Sequence, residues 1–247
     1  MFDNFAPTLT GYGHVLGLTR RGFGASIAPE SGYSVSRFAK DLLEALNALD
    51  LKNVVLIGHS FGGEEMTRAA GVQPNRIAGL VYLDAAIDQS EVRKMGANQL
   101  DGMRRAMQMK ENAWQELLSS MTPPDYHNIQ VPAIAFLAVP KAATDSLERG
   151  IEIMKNYPDL EGSATERKVT ASYKMLEAYR NNDPMVRQNL DMSFAAYRAA
   201  TENNIRLFRT GVPHGRVVEL IGAHHLIYLS NQADVLRELD HFMRDLP

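Results

Sequence analysis

The stretch NVVLIGHSFGG, residues 53–63, places the pattern G-x-S-x-G directly after a short apolar run. The apolar run is typical of a buried strand, and the residues from Glu64 onward are compatible with a helix. A serine at a sharp strand-to-helix turn is typical of a nucleophile elbow, in which the hydroxyl stands exposed above the sheet. Gly58 and Gly62 are expected to remove side chains where the backbones approach closely. The stretch therefore predicts Ser60 as a nucleophile, and an ordinary strand-to-helix turn is the alternative.

Length and composition favour a single α/β domain with a substantial core. The chain has 247 residues, of which 45% are hydrophobic and 22% charged. Its net charge of −3 gives no indication of nucleic acid or an anionic membrane as a partner. The absence of cysteine excludes disulfides, cysteine metal sites and a cysteine nucleophile. The first residues, MFDNFAPTLTGYGHV, lack the pattern of a signal peptide, and no apolar run has transmembrane length, so we expect a cytoplasmic protein.

Strand patterns and helix patterns alternate along the chain. The predicted strands are residues 14–19, 53–57, 77–83, 131–139 and 216–221. The predicted helices are residues 2–9, 34–49, 64–72, about 145–208 and 233–244, with Ser34 or Ser36 capping the second. Such alternation predicts a mostly parallel sheet with helices on both faces.

The segment between Asp84 and Val131 is too long for a simple crossover. It is rich in methionine and helical in pattern, so we expect a helical cap at about residues 87–130 inserted in one domain of residues 1–247. Methionine is flexible and polarisable, and it suits a wall that adapts to apolar ligands. The alternative is that these methionines only pack the cap onto the sheet.

A serine nucleophile needs a neighbouring base, and the expected base is a histidine in a loop after the last strand. Of the seven histidines, only His224 and His225 follow that strand closely. Adjacent residues in an extended loop point in opposite directions, so one of the pair faces Ser60. We predict His225, with His224 as the substitute. His59 is expected to point away from the site, and the remaining histidines are expected to be structural or solvated.

The acid that orients the base has two candidates. Asp84 ends the predicted strand IAGLVYL, and a carboxylate there lies at the sheet edge that the histidine must reach. Asp145 follows the next strand after a five-residue spacer. We favour Asp84, although an aspartate at a strand end also commonly caps the backbone of the following turn.

Four motifs together resemble the α/β-hydrolase superfamily. They are TRRGFGAS at 19–26, GHSFGG at 58–63, RIAGLVYLDAA at 76–86 and VVELIGAHH at 217–225. The resemblance covers nearly the whole chain and implies a serine nucleophile at Ser60, a base at His225 and an acid at Asp84. It also implies that the Phe61 N–H is one oxyanion donor. A serine in the elbow argues against the haloalkane dehalogenases and epoxide hydrolases, which use aspartate there.

One departure from the family concerns the start of the chain. Members of the superfamily begin with further strands and a His-Gly loop that supplies a second oxyanion donor. Here the first residues, Phe2 to Pro7, are similar to the segment just past that loop. We therefore expect an N-terminally truncated fold, for which a misplaced start, a true truncation or a non-catalytic descendant are the explanations.

The sequence thus predicts a serine hydrolase that cleaves an ester, lactone or related acyl bond of a small apolar substrate. No cofactor or metal is expected. The alternatives are a binding protein that uses a hydrolase scaffold without catalysis, and a cofactor-free perhydrolase or haloperoxidase.

Overall fold

A computed structural model describes residues 2–160 and 164–247, with the Leu160 side chain excepted. The chain forms two compact units. The elbow unit comprises Leu16–Ala135, Leu207–Arg216 and Leu246–Pro247. The histidine unit comprises Met1–Val15, Phe136–Arg206 and Val217–Asp245.

Among the described residues the sheet has four strands in the order β1-β2-β3-β4. They are β1 Val54–His59, β2 Ile77–Leu83, β3 Ala133–Val139 and β4 Gly215–Ile221. β1 and β2 are parallel, with Leu56 opposite Leu80 and His59 opposite Leu83. The predicted α/β fold with a mostly parallel sheet is therefore confirmed.

Helices lie before, between and after these strands in the order of the chain. In the elbow unit they are α1 Val35–Ala48, α2 Gly62–Val72, α3 Ala97–Ala106 and α4 Glu111–Ser120. They continue with α5 Asp145–Asn156, α6 Thr165–Arg180, α7 Pro184–Gly211, α8 Ile227–Ser230 and α9 Gln232–Arg244. Short 3-10 helices lie at Ala6–Leu9, Pro74–Arg76, Gln89–Lys94, Tyr126–Asn128 and Pro158–Leu160. None of the described helices is long and apolar enough to cross a membrane.

The helix α1 begins where the sequence predicts. The Ser34 hydroxyl accepts the Arg37 N–H and satisfies one of the free donors of the first turn. Phe38, Leu43 and Leu46 on one face are buried. Leu43 and Leu46 pack in a cluster with Ala69 of α2, and this apolar stripe fixes both helices beside the elbow.

The predicted strand at residues 14–19 is wrong. The segment has no regular secondary structure, and Leu16 and Leu18 are 52% and 57% exposed. An alternating apolar pattern forms a strand only where a neighbour accepts its hydrogen bonds, and none of the four strands in the described sheet includes this segment.

Two long helical predictions are subdivided in the structure. The predicted helical cap at about residues 87–130 contains a 3-10 helix, then α3 and α4, and then a second 3-10 helix. Residues 145–208 form α5, a 3-10 helix, α6 and α7. The break before α7 occurs at Asp183, whose carboxylate accepts the N–H groups of Met185 and Val186 and so starts a new helix.

Each unit has its own aromatic core. In the elbow unit, the rings of Tyr82, Tyr126 and Phe208 meet edge to face, and the Tyr82 hydroxyl bonds to that of Thr67 at 2.7 Å. In the histidine unit, the rings of Phe2 and Phe5 lie against Tyr228. The first of these cores includes Tyr82 of β2 and Thr67 of α2. β2 ends just before Asp84, and α2 begins just after the elbow.

Candidate active site

Ser60 adopts the strained backbone expected of a nucleophile elbow. Its φ is +54°, a left-handed conformation that costs a residue other than glycine of order 1 to 3 kcal/mol. It lies between the last residue of β1 and the start of α2, and its carbonyl accepts the Gly63 N–H at 3.0 Å. Such strain persists only where surrounding contacts enforce it, and it commonly marks a functional residue.

The glycines around Ser60 permit two close approaches. A Cβ on Gly58 would lie 2.9 Å from the Met66 sulfur and 3.0 Å from the Gly62 carbonyl group. A Cβ on Gly63 would lie 2.0 Å from the carbonyl oxygen of Ala85, so this residue lets α2 contact the segment after β2. Gly62 takes part in the first approach through its own backbone, but the expectation that it must lack a side chain is wrong, because a Cβ there would meet no atom of the described residues within 4 Å. The structure assigns that role to Gly63 instead.

The start of α2 presents backbone N–H groups beside Ser60. Phe61 is the N-cap residue, and α2 begins at Gly62. The first N–H groups of a helix have no intrahelical acceptor, and the helix dipole adds positive charge at that end. The predicted oxyanion donor, the Phe61 N–H, therefore belongs to a backbone segment that can hold negative charge.

Asp84 follows β2 at the position that corresponds to Ser60 after β1. His59 lies opposite Leu83 in the parallel register, so the next residues of the two strands leave the same edge of the sheet side by side. Asp84 is 1% exposed and has φ +46°. The structure thus brings Ser60 and Asp84 to adjacent strand ends within the elbow unit.

Asp145, the other candidate acid, is engaged by its own loop. One carboxylate oxygen accepts the N–H of Lys141 at 2.6 Å and that of Ala142 at 2.8 Å. These bonds close the turn between β3 and α5 in the histidine unit. The arrangement gives Asp145 a local structural role.

The two histidines after β4 differ in their contacts. Gly222, at φ +70°, turns the chain after β4 and donates to the Val139 carbonyl. His224 Nδ1 then accepts the Leu226 N–H at 3.1 Å, and its ring lies near Gly150 of α5. A triad base must donate from Nδ1 to its acid, which is incompatible with accepting a backbone N–H there. His225, which is half-buried, is therefore the better candidate.

An apolar wall lies beside the elbow. Phe61 packs against a buried cluster built from α1, α4 and the residues around them, including Trp114 and Met121. Other partly buried side chains on this cluster are Phe23, Leu100, Met103 and Met107. Met109 and Met121 are buried in the cluster, as the packing interpretation expects, whereas Met103 and Met107 keep part of their surface exposed.

Sequence reasoning missed two acidic residues immediately after the elbow. Glu64 and Glu65 lie in the first turn of α2, and burial raises the pKa of each to about 7. Glu65 pairs with Arg20 at 2.6 Å, which opposes part of that rise, and the Arg20 guanidinium lies over the ring of Phe38. The pattern GGEE after a serine elbow, together with the arginine pair in the TRRGFGAS loop, is the signal that could have indicated this pairing.

Comparison with known families supports the fold over most of the chain. The model of a family described as alpha/beta hydrolase fold matches residues 1–232. Among the described residues, no group of three or more histidine, aspartate or glutamate side chains is arranged to hold a metal ion.

Similar proteins match over limited segments. A putative non-heme chloroperoxidase from Synechocystis is 51% identical over 57 residues, which are 23% of this chain and 21% of that protein. A non-heme chloroperoxidase from Burkholderia pyrrocinia is 33% identical over 120 residues, which are 45% of this chain and 42% of that protein. The matched segments therefore span less than half the length of these relatives.

Solved structures resemble this chain over more of its length. A bromoperoxidase from Bacillus anthracis has a TM-score of 0.55 and 16% identity, and the match covers 92% of this chain and 80% of that one. Est816, an N-acyl homoserine lactone degrading enzyme, has a TM-score of 0.60 and 17% identity, with 98% and 86% coverage. At this level of identity the two structures show a shared fold.

Proposed function

This chain belongs to the α/β-hydrolase fold family, and from that premise we propose that it is a serine hydrolase with Ser60, His225 and Asp84 as its catalytic triad. The substrate class is an ester, lactone or related acyl compound of small size and apolar character. No cofactor is part of the proposal.

The reaction follows from the chemistry of the three side chains. The Ser60 hydroxyl attacks the acyl carbonyl while His225 accepts its proton, since a serine hydroxyl is a weak nucleophile at neutral pH. His225 returns the proton to the leaving group and then activates water to cleave the acyl-enzyme. Asp84 orients the imidazole and stabilises its charged form. The Phe61 N–H donates to the oxyanion that develops on the carbonyl oxygen.

The observation that carries the proposal is the left-handed backbone of Ser60 at the junction of β1 and α2. A φ of +54° at a half-buried serine between the closely packed Gly58 and Gly63 is costly, and a catalytic role of its hydroxyl accounts for it. The buried Asp84 at the neighbouring strand end supports the acid role. The local bonds of His224 and Asp145 favour His225 and Asp84 over those alternatives.

The apolar character of the substrate is inferred from the wall beside Phe61. Phe23, Met103 and Met107 are partly buried on the same cluster, and thioethers adapt to ligands of varied shape. We therefore propose residues 87–130 as the cap that contacts the substrate.

A fluorophosphonate probe with intact-mass detection tests the nucleophile. The wild-type chain is expected to gain one adduct, Ser60→Ala to gain none, and the control Ser119→Ala, an exposed serine of α4, to react like wild type. An adduct on Ser60→Ala would contradict the proposal. If the wild type remains unmodified but is stabilised by apolar ligands, the chain is a binding protein.

The relatives favour a second candidate, a cofactor-free perhydrolase. Segments of this chain are similar to proteins named non-heme chloroperoxidase. The same triad can transfer an acyl group to hydrogen peroxide in place of water. Formation of peracetic acid from acetate and peroxide, lost in Ser60→Ala, separates this activity from plain hydrolysis.

A further inference from the structure

Glu64 is a buried acid that the proposed triad does not use. The residue is 6% exposed and lies in the first turn of α2, four positions after Ser60. One carboxylate oxygen, Oε1, accepts the Thr122 N–H at 3.3 Å. The other, Oε2, is buried and has no hydrogen-bond partner among the residues that the structure describes. A buried polar oxygen without a donor is costly, and more so when it carries charge.

Arg68 completes a three-membered contact with Glu64 and Thr122, which we call the Thr122 junction. Its Nη2 lies 3.8 Å from Glu64 Oε1 and donates to the Thr122 hydroxyl at 3.1 Å. Thr122 directly follows Met121, which is fully buried in the cluster on which Phe61 packs. The junction therefore connects the elbow helix to the end of the apolar wall.

The charged groups around Glu64 set how it titrates. Burial raises its pKa to about 7, and the Thr122 N–H and Arg68 oppose that rise. Asp88, after β2, and Glu65 on α2 raise it further, and Glu64 in turn raises the pKa of Tyr126. If residue 122 moves away, water reaches the carboxylate and its pKa returns toward the ordinary value of about 4.3.

We propose that Glu64 is a positioning residue for the proposed acyl transfer, holding the Thr122 junction closed when it is protonated and loosening it when it is ionised. The sign follows from proton linkage, because the closed junction binds the proton more tightly than the open one. Closure is complete below the ordinary glutamate pKa and is lost as pH rises through about 7. Through Met121, opening shifts the apolar wall beside Phe61, so substrate affinity depends on the charge of Glu64.

Hydrogen exchange of the full chain tests the junction without any substrate. Protection of the Thr122 amide, corrected for its intrinsic exchange rate, is expected to fall at least about tenfold between pH 5 and pH 8 in the wild type. Glu64→Gln, which imitates the protonated side chain, is expected to show no such fall. Equal pH dependence in wild type and Glu64→Gln, or no dependence in the wild type, overturns the proposal.

Two further variants separate the junction from general stability. Glu65→Gln removes the neighbouring acid with a similarly raised pKa, and its Thr122 amide is expected to keep the wild-type pH dependence. Arg68→Met removes the charge that favours ionised Glu64, and the loss of protection is expected at higher pH. A transition that disappears in Glu65→Gln or stays in place in Arg68→Met contradicts the assignment.

Kinetics then connect the junction to the proposed function, on which its role in substrate binding rests. With an apolar ester, KM of the wild type is expected to rise about threefold or more from pH 6 to pH 8.5, and that of Glu64→Gln to stay flat. Unchanged KM with pH-dependent Thr122 protection overturns the positioning role alone. If no turnover is detected while Thr122 protection still depends on pH, the proposal of a serine hydrolase is overturned and the proposal of the Thr122 junction stands.

Discussion

The adjacent strands β1 and β2 are followed by the two candidate catalytic residues of the elbow unit, Ser60 and Asp84, but the strands differ in burial. All seven residues of β2 are buried, whereas only two of the six in β1 are. In the described sheet, β2 has neighbours on both sides, and its Leu80 N–H donates to Pro132, while β1 is at the edge of the strand order. The comparison indicates that Asp84 follows a fully buried interior strand and Ser60 a more exposed one.

The largest expected effect is a loss of kcat when the candidate acid at the end of β2 is replaced. Asp84→Asn should lower kcat about 10⁴-fold, because the imidazole loses its orienting carboxylate and adopts the wrong tautomer. Asp145→Asn, the matched change after β3, should lower kcat less than about tenfold, since this carboxylate serves its own turn. Steady-state kinetics with an activated ester measure both. A larger loss of kcat in Asp145→Asn than in Asp84→Asn would assign the role of the acid to Asp145, which follows β3.

Shortening an apolar side chain should lower the free energy of unfolding more in β2 than in β1. Leu83→Ala in β2 should reduce the free energy of unfolding by about 3 kcal/mol, because a fully buried side chain leaves a cavity. Val55→Ala in half-buried β1 should cost about 1 kcal/mol. Urea denaturation followed by circular dichroism gives both values. Equal losses would mean that β1 is as constrained as β2.

The contact between the segments that follow the two strands should be sensitive to one methyl group. Gly63→Ala places a Cβ against the Ala85 carbonyl and should destabilise the chain by about 2 kcal/mol. Gly62→Ala enters open space at the start of α2 and should be neutral or stabilising by up to about 1 kcal/mol. The difference in thermal midpoint between the two alanine variants measures the contact. A greater loss of stability in Gly62→Ala than in Gly63→Ala would support the sequence-based expectation that Gly62 must lack a side chain.

The smallest expected effect is the pH dependence that Glu65 adds to stability on the β1 side. Its pKa of about 7 lies above the unfolded value, so its contribution is fully present below about pH 4.3 and is lost as pH rises through 7. From pH 5 to pH 6, the free energy of unfolding should fall by about 1 kcal/mol more in the wild type than in Glu65→Gln. Glu177→Gln, at an exposed position of α6, serves as control. Identical pH profiles for wild type and Glu65→Gln would show that Arg20 fully compensates the burial.

Much of this architecture was predictable because it is encoded in short-range patterns. The apolar run of β2, the helical period of α1 with its Ser34 cap, and the elbow pattern all appear in the structure as expected. The strand predicted at residues 14–19 did not form, because a strand requires a hydrogen-bonded neighbour that no local pattern reports.

The sequence by itself determined the fold family, the serine at the elbow and the set of candidate acids and bases. These follow from local periodicity and from motifs only a few residues long. Tertiary structure decided which glycine admits the backbone of Ala85, which histidine is held by its own loop, and which acids beside the elbow are buried. Each of those outcomes depends on contacts between residues distant in the chain or on one specific loop conformation. Such contacts arise from packing, which spacing along the sequence does not contain.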